Sequence, residues 1–238
     1  MNRGRKLLTL MTWNCQVGGF ARKAQHVAPF LPDVLVVQEM ESVDDVVLGG
    51  QVQPTFRKRL CRPEPGSRGV GVFSYTTTKL RYVDADLQRG FHRFEAEQND
   101  LGFNVVAMWT SNRTPHATAY RQAHDGLSRH AAWIAARPTV VLGDFNNNAS
   151  YKRRDWKGLL ALMESLGLVS AYHAKTGEPH GAERQPTYFY RGGKFTTQLD
   201  YCFVPALWRE KITAVQVGTH DQWGALSDHA PLIVELDL

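Results

Sequence analysis

Short apolar, β-branched runs recur along the chain, separated by turn-rich or helical segments. The clearest cover residues 6–13 (KLLTLMTW), 33–39 (DVLVVQE), 69–75 (GVGVFSY), 103–110 (FNVVAMWT), 139–145 (TVVLGDF), 198–204 (QLDYCFV), 212–218 (ITAVQVG) and 231–237 (PLIVELD). Several are apolar on both faces, as in strands whose sheet is covered on each side. Helical spacing marks 20–30, 118–136 and 155–167. In the second, Tyr120, Leu127, Ala131 and Ile134 recur at three- and four-residue intervals ahead of Pro138. In the third, Trp156, Leu159, Leu160 and Met163 form one stripe that stops at Gly167. Polar loops are expected at 40–68, 84–100, 111–118, 173–195 and 219–227. No internal repeat is visible and no linker separates two halves, so residues 1–238 read as one domain.

Composition narrows the class. Hydrophobic residues are 43% and charged residues 21%, ordinary for a globular protein. The basic start, MNRGRKLLTLMTW, has an apolar run of only about seven residues and no small-residue cleavage site, so it does not read as a signal peptide. No stretch approaches the roughly 20 apolar residues of a membrane span. Cys15, Cys61 and Cys202 have no metal-ligand spacing, and a reduced cytoplasmic protein is the simplest reading. Lys and Arg total 28 against 23 Asp and Glu, a formal charge of +5 that suits a polyanionic partner such as nucleic acid.

Candidate chemistry lies where the strands stop. Asn14, Glu39, Asp144 and Asn146 follow apolar runs, Asp200 sits inside one, and Asp228 and His229 precede the last. Each has a plain structural explanation: Asn and Asp form turns, and Asp228 could be an N-cap with His229 a surface imidazole beside it. Carboxylates at the ends of apolar strands are nevertheless costly to desolvate unless paired or metal-bound. Asp144, Asn146 and Asn148, with Asp155 at the twelfth position, imitate a calcium loop. The match fails at the sixth position, Ala149, and the ninth, Lys152.

In their order and spacing, TWNC, VVQE, GVGVFS, GDFN, LDYCFV and SDHAPL closely resemble the blocks of the endonuclease/exonuclease/phosphatase superfamily, over residues 9–235. The resemblance implies the deoxyribonuclease I-like fold, an α+β four-layer αββα sandwich of two packed mixed β-sheets flanked by helices. It implies a phosphodiester hydrolase dependent on Mg²⁺, with Mn²⁺ as a substitute, most simply a nuclease acting on DNA. Glu39 would be the principal metal ligand, with Asn14 and Asp228 completing or supporting the site. Asp144 would position and deprotonate the attacking water, and Asn146 would hold that water or a phosphate oxygen. His229 would donate to the phosphate or the leaving group, with Asp200 fixing its orientation.

Two positions depart from the family. Relatives place a His or Tyr where this chain has Trp109, and an indole offers neither an acid nor an acceptor. Tyr120, His116 and His124 are candidates for that role. Some repair nucleases carry an Asp where this chain has Gln16, so one potential anionic ligand is missing. Basic residues flank the blocks: Lys152, Arg153 and Arg154; Arg57, Lys58, Arg59, Arg62 and Arg68; Arg113 and Arg121. Tyr188, Phe189, Tyr190 and Trp223 are interleaved with them, a mixture suited to unstacked bases. Arg113, Tyr120, Arg153, Arg154 and Tyr188 are the substrate-binding candidates. PTYFYR resembles the stretch of repair nucleases before the LDY strand, but Thr197 stands where some carry a Trp, so abasic-site specificity does not follow. A small-molecule phosphodiesterase or phosphomonoesterase on the same scaffold is the alternative. The loops show no exposed apolar hairpin of a lipid-directed enzyme, and neither a membrane nor a protein partner is implied.

Overall fold

The computed structural model describes residues 7–41, 68–86, 90–112, 118–151 and 155–238. Among them, thirteen strands and a few helices alternate along the chain. Strands β1 (Leu7–Asn14), β2 (Val34–Glu41), β3 (Arg68–Phe73), β12 (Ile212–Val217) and β13 (Leu232–Asp237) form a five-stranded sheet in the order β12-β13-β1-β2-β3. A six-stranded sheet runs β4-β5-β6-β7-β11-β8, from β4 (Lys79–Asp86), β5 (Phe91–Gln98), β6 (Leu101–Trp109), β7 (Thr139–Asp144), β8 (Leu168–Ser170) and β11 (Asp200–Pro205). Strands β9 (Tyr188–Phe189) and β10 (Phe195–Thr197) make a small separate hairpin. Each large sheet is mixed, with a parallel pair, β1–β2 or β6–β7, among antiparallel neighbours.

The period of two along each central strand decides which side faces what. Val105, Ala107, Val140, Leu142, Cys202 and Val204 point between the sheets. Their neighbours Val106, Met108, Val141, Tyr201 and Phe203 point the other way, under helices α2 (Ala119–Arg129), α3 (Ala131–Ala135) and α4 (Trp156–Ser165). On the outer side of the five-stranded sheet, Trp13 packs edge-on against Phe20 (ring centroids 6.4 Å) and Trp223 (5.0 Å). Phe20 comes from α1 (Phe20–Lys23) and Trp223 from a single turn at His220–Trp223. The layers are therefore helix, sheet, sheet, helix, an α+β arrangement as expected.

Several expected elements differ in detail. The helix expected over 20–30 is α1 followed by two 3₁₀ turns, Ala24–His26 and Ala28–Phe30, because Pro29 withholds the N–H that an α-helix needs. The helix expected over 118–136 divides at His130, which stacks on Phe91 with centroids 4.9 Å apart. Its start is capped by the Thr118 hydroxyl, which accepts from Arg121 N. The loop expected at 84–100 is largely β5, whose outward Arg93, Glu95 and Glu97 alternate with inward Phe94, Ala96 and Gln98. That expected at 173–195 contains the end of helix α5 (Ala171–Thr176), β9 and the start of β10. No helix among the described residues is long and apolar enough to cross a membrane.

Candidate active site

The ends of the central strands from both sheets meet at one rim. β1 ends at Asn14, which is buried and bridges the sheets: its Nδ2 donates to Asp144 Oδ2 (3.0 Å) and Glu39 Oε1 (3.3 Å). Its Oδ1 accepts from Gln16 N (2.9 Å), which commits the carbonyl to the turn after the strand. Gln16 in turn accepts from Asp228 N (3.0 Å) and fastens the segment before β13 to that turn. Glu39 stands at an irregularity between Val37 and Met40, where the pairing with β3 slips. Its φ of 56° is a left-handed value that few side chains adopt, and such values concentrate at functional sites. The bulge aims the carboxylate at the rim, where it accepts from Val17 N (3.2 Å) and Arg68 Nη1 (2.7 Å).

The other sheet supplies a buried pair. Strands β7 and β11 are antiparallel and place Asp144 directly opposite Asp200. β7 reaches that point through Gly143, φ 147°, where a Cβ would lie 2.0 Å from the Met108 carbonyl oxygen, so only glycine fits. Asp144 is fully buried and accepts three N–H bonds, from Asn14 Nδ2, Asn146 N (2.8 Å) and Asn146 Nδ2 (2.7 Å). Asp200 Oδ2 lies 2.7 Å from His229 Nδ1, while its Oδ1 has no hydrogen-bond partner among the described residues. The SDH segment is stitched down on several sides. Ser227 Oγ donates to Asn14 O (2.7 Å) and accepts from His229 N (3.0 Å), and Trp13 Nε1 donates to His229 O (2.9 Å). With Nδ1 taken by Asp200, the imidazole presents Nε2 to the cavity.

That cavity holds about 590 Å³, and Glu39, Asp144, Asn146, Asp228 and His229 all line it. Trp109 and Tyr188 form apolar walls, and the Tyr188 ring lies 4.8 Å from that of His229. Trp109 thus faces the cavity instead of merely packing in the core. A second cavity, about 420 Å³, adjoins the first through Tyr151 and Tyr188 and is bounded by Tyr190, Phe195, Thr196 and Thr197. Tyr190 and Phe195 are 45% and 62% exposed, so β9–β10 is an exposed aromatic hairpin that the sequence reading did not expect. Phe189 and Trp223 are core residues.

Four carboxylates, Glu39, Asp144, Asp200 and Asp228, meet two cationic groups, Arg68 and His229, and the affinities of Glu39, Asp228 and Asp144 for protons diverge. Burial works against ionisation of Glu39, but Val17 N–H, Asn14 and Arg68 outweigh it and hold the group below its usual range. Asp228 goes the other way: burial, with help from the Glu39 charge, raises it against the attraction of His229. Burial lifts Asp144 to about 7, with Asp200 adding to the rise and His229 and the N–H donors opposing it. Burial also disfavours the His229 imidazolium, yet the Asp200 charge and hydrogen bond, with Asp144 and Asp228, raise it to about 9. Glu39 and Asp228 both line the cavity, close enough for the Glu39 charge to help raise Asp228, and a carboxylate pair of this kind suits a hard divalent cation. Asn14, its oxygen engaged by Gln16, supports Glu39 through its N–H.

The structure thus brings Asn14, Glu39, Asp144, Asn146, Asp200, Asp228 and His229 into one assembly, with Tyr188 beside it. Tyr120 is directed elsewhere, its hydroxyl 3.5 Å from Asp155 Oδ2, with His124 against its ring. Arg113, Arg153 and Arg154 lie outside the described residues, as do Lys152, His116, Arg57, Lys58, Arg59, Cys61 and Arg62. Sequence reasoning missed Ser111, Asn112, Tyr151 and Leu199, which also line the cavity. Asn112 was within reach of the same logic as Asn14, since it follows the end of β6 and donates to Asn146 O (2.9 Å).

The family model of the Endonuclease/Exonuclease/phosphatase family matches residues 11–229. Among curated proteins, none matches the sequence significantly. Solved structures do. The endonuclease domain of TRAS1, a telomere-specific non-LTR retrotransposon, is 16% identical with a TM-score of 0.70, over 98% of this chain and 99% of that one. The 3′ phosphatase NExo from Neisseria, bound to a product DNA hairpin, is 17% identical with a TM-score of 0.69, over 97% and 100%. A humanized TDP2 of D. rerio is 12% identical with a TM-score of 0.65, over 98% and 100%.

Proposed function

The chain belongs to the Endonuclease/Exonuclease/phosphatase family of phosphoester hydrolases, and from that premise we propose that it is a Mg²⁺-dependent phosphodiesterase, a nuclease acting on DNA. The observation that carries the reading is the buried Asp144–Asp200–His229 group, set against the Glu39–Asp228 pair across one cavity. Glu39 and Asp228 would hold Mg²⁺, or Mn²⁺ in its place, with Asn14 steadying Glu39; the ion would bind a phosphate oxygen and offset charge developing on the leaving group.

The remaining chemistry belongs to this chain's side chains. Asp144, with an affinity for protons poised near neutrality, takes a proton from the attacking water. Asn146, fixed by its two bonds to Asp144, orients that water or a phosphate oxygen. His229, cationic at neutral pH, donates from Nε2 to a non-bridging oxygen or gives its proton to the leaving oxygen. Asp200 keeps Nδ1 protonated and the ring oriented. Displacement is in line, with no covalent enzyme intermediate.

DNA is favoured over small phosphoesters by the continuity of the two cavities. Tyr188 joins the phosphate-sized site to an aromatic wall of Tyr190 and Phe195, against which an unstacked base can lie. Arg191 stands over the Tyr190 ring (5.2 Å) and Lys194 is nearby in sequence, a basic margin to that wall. The formal charge of +5 fits the same partner. The buried, unbridged Cys15 and Cys202 fit a cytoplasmic location, and residues 1–238 a single domain.

A substrate panel in Mg²⁺ tests this: single-stranded and duplex DNA, abasic duplex, RNA, and simple phosphomonoesters and phosphodiesters. Cleavage of DNA that declines steeply with salt is the expected outcome. Turnover of a chromogenic ester with salt-independent rates, and no DNA cleavage, would instead establish the small-molecule alternative.

A further inference from the structure

Away from the cavity, the segment after α5 gathers His173, His180 and Glu183 beside Trp156 and Tyr201, with one ligand-capable atom of each lying within 4.8 Å of the others. The site is built, not loose. Gly177 (φ 72°) ends α5, and Gly181 (φ 89°) donates its N–H to Glu183 Oε1 (2.9 Å). Glu178 anchors the same segment, accepting from the Tyr172 hydroxyl (2.6 Å), Arg184 N (2.9 Å) and Arg184 Nε (2.6 Å). The His173 and Glu183 side chains are only 9% and 6% exposed.

Within this frame His173 is fixed at both nitrogens. Nδ1 lies 2.7 Å from Ser170 Oγ and Nε2 lies 3.1 Å from Glu183 Oε1. The His180 ring stacks on that of His173, with centroids 3.4 Å apart and planes 23° from parallel. His180 Nδ1 is buried with no hydrogen-bond partner among the described residues. An unmade hydrogen bond of that kind costs free energy that a core residue normally recovers from a neighbour. A simple packing role accounts for the stack but leaves this nitrogen unexplained.

The geometry points to a second metal site in this protein, a Zn²⁺-type site ligated by His173 Nε2, a nitrogen of His180 and Glu183. Two imidazoles and one carboxylate, with water in the fourth position, is a three-ligand set that zinc accepts. Imidazole donors favour zinc, nickel or copper over Mg²⁺, which separates this site chemically from the oxygen-only rim. Ser170 on Nδ1 is the outer partner that fixes a ligating imidazole. Entry of the ion requires the His180 ring to turn out of the stack until its lone pair converges with that of His173. The bound ion would clip α5 to the loop beneath Tyr201, the residue after Asp200, and so brace one wall of the catalytic group.

The test uses the full chain, stripped with chelator and then given Zn²⁺ in the presence of saturating Mg²⁺. One equivalent of zinc retained through gel filtration is expected, together with a raised melting temperature. Imidazole ¹⁵N resonances of His173 and His180, not His229, should take metal-bound shifts in the wild-type protein, a readout that needs no variant. His180→Ala should weaken zinc by more than about 100-fold, beyond the usual loss of an outer partner, whereas Glu39→Gln should leave it in place. Zinc that is not retained, that leaves with Glu39→Gln and stays with His180→Ala, or that shifts His229 alone would overturn the proposal.

Discussion

Glu39 and Asp144 are both carboxylates at the ends of central strands, one from each sheet, and they share the amide of Asn14. Their settings nevertheless drive them apart. Glu39 leans out on a bulge, its side chain 23% exposed, and an arginine and a backbone N–H hold it ionised. Asp144 is sealed at the junction of β7 and β11 with another carboxylate opposite, and it is raised to about 7. The difference teaches how one fold can give two carboxylates opposite affinities for protons, the basis of the roles proposed for them. A partly exposed carboxylate held in its charged form suits a cation, and a buried one with affinity near neutrality suits proton transfer.

The largest effect expected from breaking this contrast is on the buried side. On the proposed reading Asp144→Asn removes the base while keeping the volume, and kcat should fall by about 10²–10⁴-fold; circular dichroism and a thermal melt would confirm that folding is retained. Next is Asp200→Asn, a positioning change. Losing the charge beside His229 should lower kcat by about 100-fold and pull the alkaline limb of the pH profile down from about 9. A merely structural loss would leave that limb where it is.

The same pair has a stability consequence. His229 binds its proton more tightly when folded, so its contribution is complete below about 6.5, its ordinary value, and is lost as pH rises through about 9. Melting temperatures of the wild type should therefore fall across that window, and Asp200→Asn should flatten the fall. On the partly exposed side, Glu39→Gln should raise the Mg²⁺ concentration for half-maximal rate by more than about 100-fold, beyond the usual loss of an outer partner, with kcat at saturating metal much less affected. The smallest effect belongs to Arg68→Met. Its pair with Glu39 is partly exposed and worth about 1 kcal/mol or less, so metal affinity without substrate, measured by calorimetry, should rise no more than about fivefold.

Much of this was legible in the sequence because central strands covered on both faces are written in unbroken apolar runs. The polar residue that ends such a run stands out, as Asn14, Glu39 and Asp144 do, and so does Asp200, which interrupts one. Strand β5 was not legible, since its charged outer face, Arg93, Glu95 and Glu97, imitates a loop. The split at His130 depends on a ring stack with Phe91, a distant partner that no local pattern reports. Within the site, the residue types were visible but the register was not. That Asp144 faces Asp200 across two strands, and that Glu39 sits on a bulge against Arg68, are products of pairing between segments far apart in the chain. The aromatic hairpin escaped for a similar reason: 173–195 reads as one polar loop, and only the left-handed turn at Arg191 and Gly192, with the pairing of β9 and β10, brings Tyr190 and Phe195 together on an exposed edge.

The most direct measurement is the pH dependence of Mg²⁺-supported DNA cleavage by the wild-type protein, with an EDTA control at each point. The expected profile is a bell, rising through about 7 as Asp144 loses its proton and falling through about 9 as His229 does, and EDTA should abolish it. Cleavage that persists in EDTA, or a rate that is flat across both limbs, would contradict the division of roles between the two carboxylates.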